Sequence, residues 1–420
     1  MAPRAATGPA HVAVVSFLAA RAAPTGGFWI ALAGGVALAR VAERLGARLG
    51  FGASAAAMLE TVAIIGPARF GVPLTQAVSA PILGRLHARD VGFWPQLLAC
   101  ASVRFIHNAA TTAFFIWVIA GGLDAYAGTY DAIGRRIGIE VGTADALALT
   151  LLGLLAWAAF ASAVQVLVYR RGLRAWSEQI SERQHREEAP RGAWQHKVAS
   201  SAANCFQLGR FDPRAVAAAA FIAFVLLLSS TAWALLVAVS AWLAVIWVLS
   251  RPEHDPVPAG LVFAAVLAAG SFAFALGGGL GLETALRRAS RAALLVLVAT
   301  WLRAAARARG LREVSRRGLD RLRRIPSATE ATEVLDAIAS EGRLAAAGRS
   351  LAARLSQAPK RPAALLDAVL AWVIREAAAY RPPAPASPVR LRARAVDWAL
   401  LATTAAPMLA LEPFRAVVGG

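Results

Sequence analysis

The sequence predicts an all-α fold: a polytopic helical membrane protein of about eleven transmembrane spans with a cytoplasmic amphipathic helical insertion. Three observations lead there. The chain is 58% hydrophobic and 16% charged, with a mean hydropathy of +0.55. Several runs approach the ~20 apolar residues that cross a bilayer. Basic residues collect at the ends of those runs and give a net charge of +19. In a soluble protein that charge would point to nucleic acid. Placed beside apolar runs, it points to membrane orientation and anionic lipid, with the bilayer as partner and no nucleic acid. The expected location is the cell membrane, multi-pass, with a cytoplasmic N-terminus. The opening MAPRAATGPAHVAVV lacks the charged lead and cleavage site of a secretory signal and reads as retained.

Residues 1–170 hold six apolar stretches, at about 11–23, 28–40, 51–67, 71–86, 93–121 and 145–168; the first and fourth are the shortest. The segments Arg40–Arg48, Arg85–Asp90 and Tyr169–Arg174 are basic, whereas Gly121–Thr143 carries Asp124, Asp131 and Glu140. Six spans with both ends inside satisfy that asymmetry. Ala31, Gly35 and Ala39 repeat every fourth position and leave room for a neighbouring helix.

Polar side chains at membrane depth are costly, so those present mark a packing or solute role. Glu60 lies in AAAMLETVAII. Arg104, His107, Asn108 and Thr111 share one helical face, and Thr75 and Gln76 lie between prolines. Glu60, Arg104, His107 and Asn108 are the candidate intramembrane polar site. One reading is a structural Glu60–Arg104 ion pair; the other is a polar pocket for a small solute.

Residues 171–204 are polar, mixed in charge and interrupted by Pro190, as in a cytoplasmic linker. Asp212-Pro213-Arg214 then opens an apolar helix, with Asp212 as cap and Pro213 in the first turn. Spans follow at 232–250, 259–276 and 280–302, the last beginning with Glu283, Arg287 and Arg288 at pairing distance along a helix. Arg303–Arg324 carries nine arginines against Glu313 and Asp320, and Leu311, Val314 and Leu322 recur at helical spacing. This is a basic amphipathic helix on the cytoplasmic side. Ile325-Pro326 ends it, Ser327 and Glu330 form a capping-box pattern for a helix over 328–356, and a further helix covers 363–379. A proline-rich link leads to a final apolar segment. The organising unit is 303–380.

That order resembles the transmembrane T component of energy-coupling factor (ECF) importers, over about residues 205–411. The resemblance rests on Asp212-Pro213-Arg214, two spans in quick succession, the arginines at 287–291, the cytoplasmic helices, and a final span entered through Arg-x-Arg and Asp397-Trp398. It implies an ATP-driven importer of vitamins or transition metals. It implies as partners two ABC ATPase subunits, docked by arginines in Ala-Arg-Gly or Ala-Arg-Ser triplets of two coupling helices. It also implies a small substrate-binding membrane component cradled by those helices, either separate or supplied by the N-terminal half, whose six spans in about 170 residues match that component in size. One mapping gives the docking roles to Arg309, in Ala308-Arg309-Gly310, and Arg349, in Gly348-Arg349-Ser350. A second gives them to Arg349 and Arg381.

A guanidinium suits such docking because it stays charged and can fork onto a carboxylate. The chain has no GxxxxGK[ST] phosphate loop, so ATP hydrolysis is expected from partner subunits and no enzyme activity from this chain. No cofactor is implied. Cys100 and Cys205 form no metal spacing, and the six histidines form no HExxH pair. The alternative reading is a non-transport membrane scaffold whose basic helices bind anionic lipid or a cytoplasmic protein.

Overall fold

The computed structural model describes residues 2–23, 26–67, 72–186, 210–338, 341–358, 361–382, 391 and 393–418. Every element among them is helical: α1 (Ala2–Ala22), α2 (Gly27–Leu45), α3 (Ala47–Ile65), α4 (Val72–His87), α5 (Phe93–Phe114), α6 (Leu123–Arg136), α7 (Thr143–Arg186), α8 (Pro213–Ser229), α9 (Trp233–Ser250), α10 (Val257–Gly277), α11 (Leu282–Arg321), α12 (Pro326–Ile338), α13 (Glu341–Gln357), α14 (Pro362–Ala379) and α15 (Ala395–Val418).

Among the described residues, six helices are long and apolar enough to cross a membrane: α3, α5 with its extension, α7, α9, α10 and α11. Helix α8 is as apolar but has only 17 residues. The expectation of about eleven spans counted α1, α2, α4, α8 and α15 as well. Arg40, Glu43 and Arg44 charge one end of α2, α4 has 16 residues with Pro81 inside, and α1 carries Pro9. Phe160, Val237, Val248 and Val266 stand exposed on α7, α9 and α10, as lipid-facing side chains do.

The apolar runs became helices close to where the pattern placed them. Glycines supply the sharp corners: Gly46 (φ +90°) separates α2 from α3 and Gly121 (φ +82°) ends α5, which closes in a π-helical turn over Phe115–Ala120. Three differences are informative. The acidic loop after α5 folds as α6, and α7 runs 18 residues past the apolar stretch, to Arg186. So the linker begins as helix; its remainder, 187–209, lies outside the described residues, with Cys205, as do Arg390 and Arg392. The expected helix over 328–356 is helical where it is described, as α12 and α13; residues 339 and 340 between them lie outside the described residues. The Ser327–Glu330 capping box does not form, because Pro326 takes the first helical position and Glu330 pairs with Arg48 at 2.8 Å.

The cores are organised differently from the chain. Helices α12, α13 and α14 do not pack into the bundle they interrupt. They share one apolar core with α1, α2, α3, α4, α5 and α7. Helices α8, α9, α11 and α15 build a second core, which Ala63 of α3 joins. Helix α1 is enclosed by α2, α3, α12, α13 and α14, and Val12 to Val15 and Phe17 are shut off from the surface. The small-residue stripe of α2 works as expected. A Cβ on Gly35 would meet the Tyr169 hydroxyl of α7 at 1.7 Å, and Gly84 of α4 lies against the Ala39 carbonyl.

Candidate functional site

Helix α11 changes direction at Arg307, whose φ of +60° breaks the helical path. Ala308-Arg309-Gly310 follows at once. Ala308 and Gly310 are buried and Arg309 is exposed. Gly310 lies so close to Pro213 that an added Cβ would sit 2.6 Å from the ring. Pro213 opens α8, where the Asp212 carboxylate accepts from the Arg214 backbone N–H (2.8 Å) and from its guanidinium Nε and Nη2 (3.1 and 3.0 Å). The Asp212 N–H donates to Asp397 Oδ1, and the Arg394 N–H donates to Asp397 Oδ2, both at 2.7 Å. Asp397 opens α15 and is buried. The Asp-Pro-Arg opening, the first triplet and the entrance to the last helix are thus one joint. Burial raises the Asp212 carboxyl, but its bonds with Arg214 outweigh that and hold it below the ordinary value.

The other docking candidates lie elsewhere. Arg349 is exposed on α13, between Gly348, which lines a cavity, and Ser350, whose hydroxyl accepts from Trp372 Nε1 at 3.1 Å. Arg381 is exposed beyond α14; its guanidinium donates to the Ala378 and Tyr380 carbonyls, and its own carbonyl accepts from Arg343. No bond among the described residues joins Arg309, Arg349 and Arg381.

The intramembrane candidates divide into two groups. Glu60 is fully buried and receives both nitrogens of a fork from Arg312, with Nε at 2.6 Å from Oε2. The expected Glu60–Arg104 pair is not formed. Arg104 instead faces α7, donating Nη2 to Gln165 Oε1 (2.6 Å) and Nε to the Ser162 hydroxyl (3.3 Å). Gln165 Nε2 continues to the Ser79 hydroxyl (2.6 Å), and the Tyr169 hydroxyl donates to Gln76 (2.7 Å). The result is a buried polar layer across α4, α5 and α7 that distributes one guanidinium charge over neutral acceptors. His107 and Asn108 are half-buried on the same helix and outside this network; Thr111 donates to the His107 carbonyl at 3.0 Å.

Sequence reasoning missed the contacts that tie the two halves. Arg303 donates to the Ile64 carbonyl at the end of α3 (2.6 Å) and pairs with Glu253 (2.8 Å). His11 stacks on Tyr380 with centroids 4.4 Å apart, and the Tyr380 hydroxyl donates to the Ala337 carbonyl at 2.8 Å. Burial pushes the Tyr380 phenol up to about 12, which keeps it a donor. Arg303 and Ile64 are 239 positions apart and His11 and Tyr380 lie farther still, so no local pattern announces the contacts between the halves. Between the same elements lies a cavity of about 1100 Å³, lined by Val15, Trp29, Ile64, Leu344, Leu355 and Leu365 among others. Arg303 is its one charged lining residue among the described residues.

No family model matches the chain, and neither curated proteins nor solved structures contain a match.

Proposed function

We propose that the chain is the membrane-embedded coupling subunit of an ATP-driven importer of vitamins or metal ions, with a substrate-binding component fused as its N-terminal half. One observation carries the reading. The segment from Arg307 to Tyr380 is braced on α1, α2 and α3 by a shared apolar core and by the Glu60–Arg312 and Arg48–Glu330 pairs. A push on its exposed arginines therefore reaches the first half through rigid helices. In this reading α11 after Arg307, with α12–α14, receives the motion of two ABC ATPase subunits and cradles the substrate-binding half. The basic ends of the helices face the cytoplasm, and α1, α2, α4, α8 and α15 complete the membrane domain with the six longer spans.

The cavity between α1, α3 and α13 suits an organic solute better than a bare cation, since its walls are apolar and its one charged lining residue, Arg303, is a cation already paired with Glu253.

The test is co-purification of ATP-binding subunits with the full chain, before and after Arg309, Arg349 and Arg381 are each replaced by Glu. Loss of the ATPases in at least one substitution supports docking. Retention in every combination refutes it. The exposed Arg323 and Arg324 favour the scaffold reading, in which the basic helices bind anionic lipid. It predicts that anionic vesicles retain the triple variant less well than wild type, in a salt-dependent way, while no ATPase associates with either.

A further inference from the structure

At the end of the second bundle away from Asp212, a pocket of about 430 Å³ opens between the close of α5, the α8–α9 turn and the start of α11. Arg287, Arg288 and Arg291 line it, together with Ser230, Thr231 and Thr284. One carboxylate stands near these three guanidiniums. Glu283 is engaged by Arg287 and also accepts from Trp233 Nε1 at 3.2 Å. Arg288 has a long contact to the Gly121 carbonyl (3.4 Å) and no carboxylate partner among the described residues. Arg291 is 6% exposed, and its Nε has no hydrogen-bond partner among them. Buried Nε of Arg287 and Nη1 of Arg288 are unpartnered too.

A buried guanidinium without an anion is costly, and three on adjacent turns of one helix repel each other. A multivalent oxyanion would relieve that cost, and the guanidinium fork has the matching geometry for it. The glycine at position 121 is part of the build. A Cβ there would lie 2.2 Å from Arg288 Nη2 and push that side chain out of place. Trp117 and Trp233 stand exposed beside the pocket, and tryptophan is the side chain enriched where membrane proteins meet lipid headgroups.

We propose that this pocket binds a phosphate-class oxyanion, with Arg291 and Arg288 as its principal donors and the Thr231 and Thr284 hydroxyls completing the shell. The anion is a lipid headgroup phosphate or a free phosphate compound; both present the same oxygens. This site is separate from the docking arginines and does not depend on the proposed transport role.

The experiment uses the full chain, delipidated in neutral detergent. In one arm inorganic phosphate is titrated while thermal unfolding is followed. In the other, the protein is reconstituted in phosphatidylcholine nanodiscs containing phosphatidylglycerol, and co-retained lipid is measured by native mass spectrometry. Wild type should bind in at least one arm, at least about tenfold more tightly than Arg291→Gln, the loss of one charge-assisted hydrogen bond. Arg323→Gln, which removes an equal charge far from the pocket, should match wild type. Thr231→Glu, which places a carboxylate at the pocket without disturbing the arginine packing, should compete with the anion and weaken binding likewise. A response to phosphate alone identifies a soluble anion, and retention of phosphatidylglycerol alone identifies a headgroup. Binding in neither arm, or equal binding by wild type, Arg291→Gln and Thr231→Glu, overturns the proposal.

Discussion

Glu60 is fully buried, and its carboxylate is gripped by the fork of the Arg312 guanidinium. Removing Arg312 leaves the Glu60 carboxyl enclosed without its fork. Glu60→Ala is therefore expected to destabilise the protein by about 3–5 kcal/mol, and Arg312→Ala by a similar amount. The double substitution should cost far less than the sum of the two, because it leaves neither charge stranded. Thermal unfolding of the four proteins in detergent measures the coupling; additive losses would show that the pair does not form. Asp212 makes a second residue-scale prediction. Its carboxyl is held below the ordinary 3.8 by Arg214. A depressed carboxylate stabilises the fold above its ordinary pKa, and that contribution fades as pH falls through the folded value. Wild type should thus lose stability below about pH 4 in part through Asp212, and Asp212→Asn should show a shallower acid slope. Parallel slopes in the two proteins would exclude the effect.

At the level of elements, the break in α11 decides where the chain's arginines point. The helix descends to Ala306, turns at Arg307 and continues along α3, with Gly310 seated on Pro213. Gly310→Val should force α8 and α11 apart and cost about 1–3 kcal/mol, visible as a lowered unfolding temperature and as weakened ATPase retention if the joint positions Arg309. An unchanged unfolding temperature would mean that the contact is loose. Helix positions were largely legible because apolar runs, Gly46 and the Asp212-Pro213 start are local signals. The length of α7 was not, since its polar continuation lacks the apolar run that marks a span. Helix α6 was missed because a short amphipathic helix in an acidic loop resembles a loop. The Arg312 partner of Glu60 lies 252 positions away, and nothing near either residue specifies it. Arg104 is buried without a carboxylate: its bonds go to neutral Gln165 and Ser162, acceptors that sequence patterns do not distinguish from filler.

For the molecule as a whole, the two cores cross the linker. A chain divided between residues 186 and 210 and expressed as two pieces should reassemble, with 1–186 and 210–420 co-purifying through the core of α1–α4, α7 and α12–α14. Separate elution of the pieces would refute that packing. The enclosure of α1 also sets the order of biogenesis. When the ribosome has finished α7, the surfaces of α1, α2 and α3 that α12–α14 will cover are still bare, and the whole of α8 to α11 must be made before the cover arrives. The first half therefore waits, unfinished, while the second bundle is inserted. Nascent chains stopped after Arg321 should be cut by added protease at the α2–α3 connection around Gly46, where chains extended past Ala379 resist, so the last third of the polypeptide acts as the closing step for the first.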